Sequence, residues 1–249
     1  MTFEGKTVLV TGASSGLGAA TVRLFAARGA DVYAASRDQT KLAELAQSCI
    51  DLAGTVTYGP LDVASPDSCR AAVASAVASY GRLDVLVNNA GRHDFRVTTT
   101  VTDEQWDRDI AVNLSGAFHC ARAAIPHLME SAGNIVNVSS VAGQIGEAYS
   151  AAYSAAKHGI VGLTKALAVE YVKSPLRVNC VCPGGMDTAQ VHTIDFPPDA
   201  DFELIMRVAA KRGFMTPESV AESIVFLASE AAGSINGSVV TVDHGHLAG

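Results

Sequence analysis

No stretch of about 18 uncharged apolar residues occurs anywhere in this 249-residue sequence, so a membrane-spanning helix is not expected. Lys/Arg-rich runs are also missing. The 18 Lys and Arg are outnumbered by 25 Asp and Glu, and the resulting net charge of −7 repels phosphate backbones, which argues against a nucleic-acid partner. The five cysteines (49, 69, 120, 180 and 182) are odd in number and lack C-x-x-C or Cys/His ligand spacing; most sit in apolar segments and read as reduced core thiols. Met1 to Val10 places Glu4 and Lys6 before the first apolar run and lacks the long apolar region of a signal peptide. The expectation is a cytoplasmic protein with no metal site. No Ser/Gly/Pro-rich linker, internal repeat or low-complexity tract divides the chain, so residues 1–249 read as a single domain. With 49% hydrophobic residues, a fold of this length buries roughly 70–75% of its unfolded surface.

Seven short apolar runs alternate with helical patterns: Thr7 to Val10, Asp31 to Ala35, Val56 to Tyr58, Leu83 to Val87, Asn134 to Val138, Arg177 to Val181 and Ser238 to Val242. Continuous apolar strands of this kind are buried on both faces, and a parallel sheet covered by helices on each side requires them. The fold class is therefore α/β, a doubly wound parallel sheet of about seven strands flanked by helices. Gly29 and Gly81 read as helix stops, Ser65-Pro66-Asp67 and Thr216-Pro217-Glu218 as helix starts, and Thr102 with Gln105 as a capping box. The capping box opens a helix towards Glu130, with a kink or early end expected at Pro126. One irregular stretch, Gly184 to Asp201, carries Pro197-Pro198 at its centre. It reads either as a mobile substrate lid, spanning about 184–213, or as a disordered surface insertion.

Thr11-Gly12-Ala13-Ser14-Ser15-Gly16-Leu17-Gly18 follows the first strand directly and opens the first helix. Glycines there let backbone approach a pyrophosphate, and helix-start N–H groups with the helix dipole favour the anion. The Gly-x-x-x-Gly-x-Gly spacing resembles that of the short-chain dehydrogenase/reductase family, a Rossmann-type fold. Further residues match in order: Asn88-Asn89-Ala90-Gly91 after the fourth strand, Asn113 on the next helix, Ser140 after the fifth strand, Tyr153-x-x-x-Lys157, and Pro183-Gly184 with Thr188 after the sixth. Tyr153 follows Ser140 by thirteen residues, the usual family spacing. Two places depart from the pattern. Met186 stands where a branched aliphatic is common, and Val242-Asp243-His244-Gly245-His246 replaces a frequent V-D-G-G ending.

If residues 153–157 are helical, Tyr153 and Lys157 share one face at i and i+4. A neighbouring cation favours phenolate, so Lys157 together with the oxidised nicotinamide should lower the phenol below its ordinary pKa of about 10 and make Tyr153 a general acid/base. The resemblance implies that Ser140 hydrogen-bonds the reacting oxygen, with Ser139 the competitor at fourteen residues. It also implies that Lys157 holds the nicotinamide ribose, and that Asn113 holds a helix irregularity and an ordered water linking Lys157 to solvent. For the dinucleotide it implies Gly12, Ser14, Ser15, Gly16, Leu17, Gly18, Asp62, Val63, Asn89, Ala90, Gly91, Pro183, Gly184, Met186 and Thr188, together with Tyr153 and Lys157. At the end of the second strand, where NAD-preferring sites place an acid, this sequence has Ser36 followed by Arg37. A guanidinium offers charge-assisted bonds to a 2′-phosphate, so NADP(H) is the favoured cofactor and NAD(H) the alternative.

Ser140, Gln144, Ile145, Tyr149 and Gln190 are the candidate substrate pocket, and Glu147 either borders it or is solvated. Trp106 and Phe118 read as core, and His93, His119, His127, His158 and His192, without ligand spacing, as surface or core. The implied reaction interconverts a small-molecule ketone or aldehyde and an alcohol. A 3-oxoacyl-thioester reductase, a non-catalytic NADP(H) sensor, and a lyase or isomerase are the alternatives. The resemblance further implies a homotetramer, or a homodimer, through the helices of residues 102–130 and 151–173.

Overall fold

The computed structural model describes residues 1–189, 191–208 and 212–248. Strand β1 (Thr7–Thr11) is buried along its whole length. Val8 and Val10 pack on one side of the sheet and Leu9 on the other, so each face needs its own cover. The chain supplies it by alternation: α1 (Gly16–Ala27), β2 (Asp31–Ser36), α2 (Gln39–Ser48), β3 (Val56–Pro60), α3 (Pro66–Tyr80) and β4 (Val85–Asn88). There follow α4 (Asp103–Ile110), α5 (Gly116–Glu130), β5 (Asn134–Val138), α6 (Ala151–Glu170), β6 (Arg177–Pro183), α7 (Phe202–Met206), α8 (Pro217–Ala228) and β7 (Val239–Val242).

All seven strands pair in parallel, in the order β3-β2-β1-β4-β5-β6-β7. Helices α1, α2 and α8 contribute to one apolar layer, where Phe3 meets Phe25 edge-on at 4.9 Å, and α3, α5 and α6 to the other. The chain winds outward from β1 to β3 and then crosses to lay β4 on the free side of β1. Connections leaving the carboxyl ends of β1 and β4 diverge, and a crevice opens between them, the place where such sheets bind ligands.

The expected seven strands are all present, with ends shifted by one or two residues. The punctuation also acts as read: Thr102 and Gln105 exchange both bonds of a capping box, Ser65 caps α3 above Pro66, and Gly81 ends it at φ 78°. The single helix expected from Thr102 to Glu130 is instead α4 and α5 joined through a π-helical turn, Ala111–Ser115. Pro126 lies inside α5 without ending it, because buried Ile125 and Leu128 hold that turn against the sheet layer. Trp106 and Phe118 are each 41% exposed, contrary to the core reading, since they sit on outer faces of α4 and α5 directed away from the sheet. All five cysteines are buried thiols. Among the described residues no helix is long and apolar enough to cross a membrane, and no group of three or more His, Cys, Asp or Glu is placed to hold a metal ion.

Candidate active site

A cleft of about 470 Å³ lies over the β1/β4 crevice. Its lining includes every residue assigned above to the dinucleotide: 12 and 14–18 of the glycine turn, 36–37, 62–63, 89–91, 153, 157, 183–184, 186 and 188. The turn is pressed against the end of β4. Gly12 has φ +65°, and a Cβ there would stand 2.7 Å from Ala90 Cα; one on Gly18 would stand 2.2 Å from the Gly12 carbonyl oxygen. Asn89 fastens the arrangement, donating from Nδ2 to the Thr11 and Gly12 carbonyls, while Thr11 Oγ1 accepts from the Asn89 and Ala90 amides. The N-cap of α1, Ser15, makes no side-chain cap bond, whereas Asp38, Ser65 and Thr216 cap α2, α3 and α8. A flat glycine cradle below uncapped helix amides fits a pyrophosphate.

At the adenosine end, Ser36 closes β2 and Arg37 is an exposed part of the lining. Asp38 is engaged elsewhere. Its carboxylate accepts the Lys41 amide at 3.1 Å and lies 3.5 Å from Lys41 Nζ, and the backbone bond holds it below the usual carboxylate range. Asp62 Oδ1 accepts the Ala64 amide and shapes the turn after β3.

At the other end of the cleft Ser140, Tyr153 and Lys157 meet. Strand alternation separates the two candidate serines: Ser139 is buried and donates to the Lys157 carbonyl at 2.8 Å, while Ser140 is half-buried and hydrogen-bonds the Tyr153 phenol. Helix α6 puts Lys157 one turn after Tyr153, with Nζ 5.5 Å from the ring centroid and donating to the Val138 carbonyl at 3.0 Å. Asn113 is buried in the π-helical turn, accepting the Arg92 amide at Oδ1 and donating from Nδ2 to the Asp109 carbonyl. A Cβ on Gly91 would stand 3.0 Å from Asn113 Oδ1 and 3.4 Å from Lys157 Nζ, so those two polar groups converge on one point.

The electrostatics differ from the simple i, i+4 expectation. Burial pushes the Tyr153 phenol above its ordinary value, Glu147 pushes the same way, and the Ser140 bond opposes both. Burial also brings the Lys157 ammonium down to about 8. Desolvation acts on both members of the pair, and in this protein it outweighs their attraction.

The substrate side departs further from expectation. Gln144 donates to Thr241 Oγ1 at 2.8 Å and is exposed, and neither it nor Ile145 lines the cleft. Tyr149 does not line the cleft either; at φ 61° its hydroxyl turns to the 184–213 segment, where it accepts the Asp201 amide at 2.8 Å. Gln190 lies outside the described residues. Phe95, Phe196 and Phe202 form a run of ring contacts at 4.9 and 5.2 Å that leads from this segment towards the site. His93 is the residue the sequence reading missed. Its ring stacks on Tyr153 with centroids 4.1 Å apart and meets Phe95 at 4.3 Å. Glu147 is its neighbour and is mostly buried, not solvated. The only signal was the position of His93, two residues beyond the Asn-Ala-Gly turn.

The family model for short chain dehydrogenases matches residues 6–196. The chain is 39% identical over 246 residues to the 3-oxoacyl-[acyl-carrier-protein] reductase FabG of Thermotoga maritima, covering 98% of this chain and 99% of that protein. It is 40% identical over 249 residues to cis-4-hydroxycyclohexanecarboxylate dehydrogenase of Sinomonas cyclohexanicum, covering 99% and 98%. In structure it resembles a single-residue variant of actinorhodin polyketide ketoreductase with NADPH, at TM-score 0.87 and 32% identity over 97% of each chain. With the model spanning most of the sequence and relatives matching nearly end to end, this chain belongs to the short-chain dehydrogenase/reductase family of oxidoreductases.

Proposed function

We propose that this protein is an NADP(H)-dependent oxidoreductase that interconverts a ketone or aldehyde and an alcohol, with Tyr153 as general acid/base. The convergence of Ser140, Tyr153 and Lys157 at one end of a glycine-cradled cleft carries this reading. When bound, the nicotinamide supplies or accepts the hydride. Tyr153 Oη gives its proton to the carbonyl oxygen during reduction and takes the hydroxyl proton during oxidation. Ser140 Oγ donates a hydrogen bond to the same oxygen as negative charge develops on it. Lys157 holds the ribose hydroxyls, and its charge favours the phenolate when the proton has left. Asn113, converging with Lys157 on Gly91, orients the water through which that proton is replaced. Loss of NADPH and NADH absorbance over ketones, aldehydes, sugars and a 3-oxoacyl thioester tests the reading; cofactor binding without turnover on any compound would count against it.

Relatives that act on a 3-oxoacyl thioester and on a hydroxycyclohexane carboxylate keep both thioester and small cyclic substrates in view. For the cofactor, Ser36 offers no carboxylate to repel a 2′-phosphate, Asp38 is tied to Lys41, and Arg37 stands at the cleft. A charge-assisted hydrogen bond contributes about 1.5–3 kcal/mol. Arg37→Ala should therefore raise KM for NADPH by about 10- to 100-fold and leave NADH nearly unchanged. Equal changes for the two cofactors in steady-state assays would remove the assignment.

The 184–213 segment serves as the substrate lid, held by Tyr149. Tyr149→Phe deletes the acceptor for the Asp201 amide, worth about 0.5–1.5 kcal/mol. KM for the carbonyl substrate should rise about threefold to tenfold with a smaller change in kcat. An unchanged KM would show that this contact does not govern closure.

A further inference from the structure

The Tyr153 ring is covered on one side by His93, which together with its neighbour Glu147 forms a titratable pair that plays no part in the proton transfer described above. His93 stacks on it at 18° between ring planes, and His93 Nε2 lies 2.7 Å from Ser150 Oγ and 3.4 Å from Glu147 Oε2. The Glu147 side chain is 11% exposed, and its Oε2 is closed off from solvent and makes no hydrogen bond among the described residues. Nearby cations are committed elsewhere. Arg96 is paired with Asp94 and Asp109 at 2.6 and 2.7 Å, and Lys157 donates to the Val138 carbonyl beside Tyr153. Asp94, Arg96 and Lys157 all act on His93, while Cys182, and with it Cys180, acts on the Tyr153–Lys157 pair from β6.

We propose that Glu147, working beside the His93 ring stacked on Tyr153, is a positioning residue that keeps the phenolic proton on Tyr153 and so holds back alcohol oxidation as the pH rises. The inference rests on Tyr153 being the proton donor of the reaction. A carboxylate in a dry site resists a second negative charge close by, and formation of the phenolate is such a charge. Burial brings Glu147 up to about 7, so its charge appears in the range where a dehydrogenase operates. Burial holds His93 down at about 4, so the ring that touches both groups stays neutral and supplies no cation to cancel the carboxylate. Below about pH 7 Glu147 is protonated and without effect; above it, the phenolate becomes harder to form. Oxidation starts from that phenolate and is slowed through the fraction of enzyme that carries it; reduction ends in the same phenolate, so its proton donation meets the same repulsion.

The test compares wild type, Glu147→Gln and Glu147→Asp as NADP⁺-loaded enzymes. One readout is kcat/KM for alcohol oxidation from about pH 6 to 10, and the other is phenolate absorbance, each with Tyr153→Phe subtracted. Glu147→Gln should match wild type near pH 6 and oxidise about threefold to tenfold faster near pH 8.5, with its phenolate midpoint lower by about half to one unit. Glu147→Asp retains the charge and should keep the wild-type profile. Identical phenolate midpoints in wild type and Glu147→Gln would overturn the proposal, as would a change in rate that is uniform across pH. A shifted midpoint without turnover of any alcohol would sink the assigned reaction and leave the role of Glu147 standing.

Discussion

Tyr153→Phe is expected to lower kcat by about 10²- to 10⁴-fold, the usual range for loss of a general acid or base, while the enzyme keeps its fold and binds NADPH within a few-fold of wild type. The change deletes one oxygen and preserves the ring on which His93 stacks. Among the described residues no neighbouring hydroxyl other than Ser140 is positioned to replace it. Tyr149, one helical turn earlier in sequence, directs its hydroxyl to the Asp201 amide, and Ser139 donates to the Lys157 carbonyl. Ser140 remains, but a serine hydroxyl is a far weaker acid than a phenol near a cation. Steady-state rates together with calorimetric NADPH binding decide the matter. A variant that keeps more than a tenth of the wild-type rate would mean that the proton comes from elsewhere.

Gly18→Ala should weaken NADPH binding by at least about tenfold and lower Tm by about 2–10 °C, for a strain of roughly 1–3 kcal/mol. The new Cβ would meet the Gly12 carbonyl oxygen at 2.2 Å and Asn89 Nδ2 at 2.6 Å. Neither contact is the loose end of a flexible side chain. The first is backbone of the glycine turn, and the second is the amide that holds that turn through the Thr11 and Gly12 carbonyls. Relief requires the turn to lift from β4, which spoils the approach of backbone to the pyrophosphate. Gly162→Ala is the control. That exposed position in α6 has nothing within 4 Å of a built Cβ, and replacing a mid-helix glycine there should be neutral or stabilising. If Gly18→Ala binds NADPH as wild type does, the cradle is not what its geometry implies.

Alternation of short apolar runs with helical patterns was enough to specify a parallel, doubly wound sheet, because a strand buried on both faces leaves no other way to cover it. The glycine turn, Ser140, Tyr153 and Lys157 were also legible, since each sits at a carboxyl end of a strand or on the helix that follows, where topology alone brings them to one edge of the sheet. Spacing along the chain did not reveal where side chains from different connections meet. His93 comes from the segment after β4 and Glu147 from the one after β5, and only folding stacks the first on Tyr153 and buries the second beside it. Tyr149 similarly turns to the 184–213 segment because its backbone is left-handed, a conformation its residue type does not announce. The balance at Tyr153 was hidden for the same reason: the i, i+4 cation is a local feature, but the desolvation that opposes it is set by everything packed around the pair. Sequence by itself thus determined the sheet, the glycine turn and the candidate groups gathered at its edge, which depend on local pattern and strand order. Tertiary structure alone decided the burial, and hence the proton affinities, of those groups and their neighbours, because these depend on contacts between residues far apart in the chain.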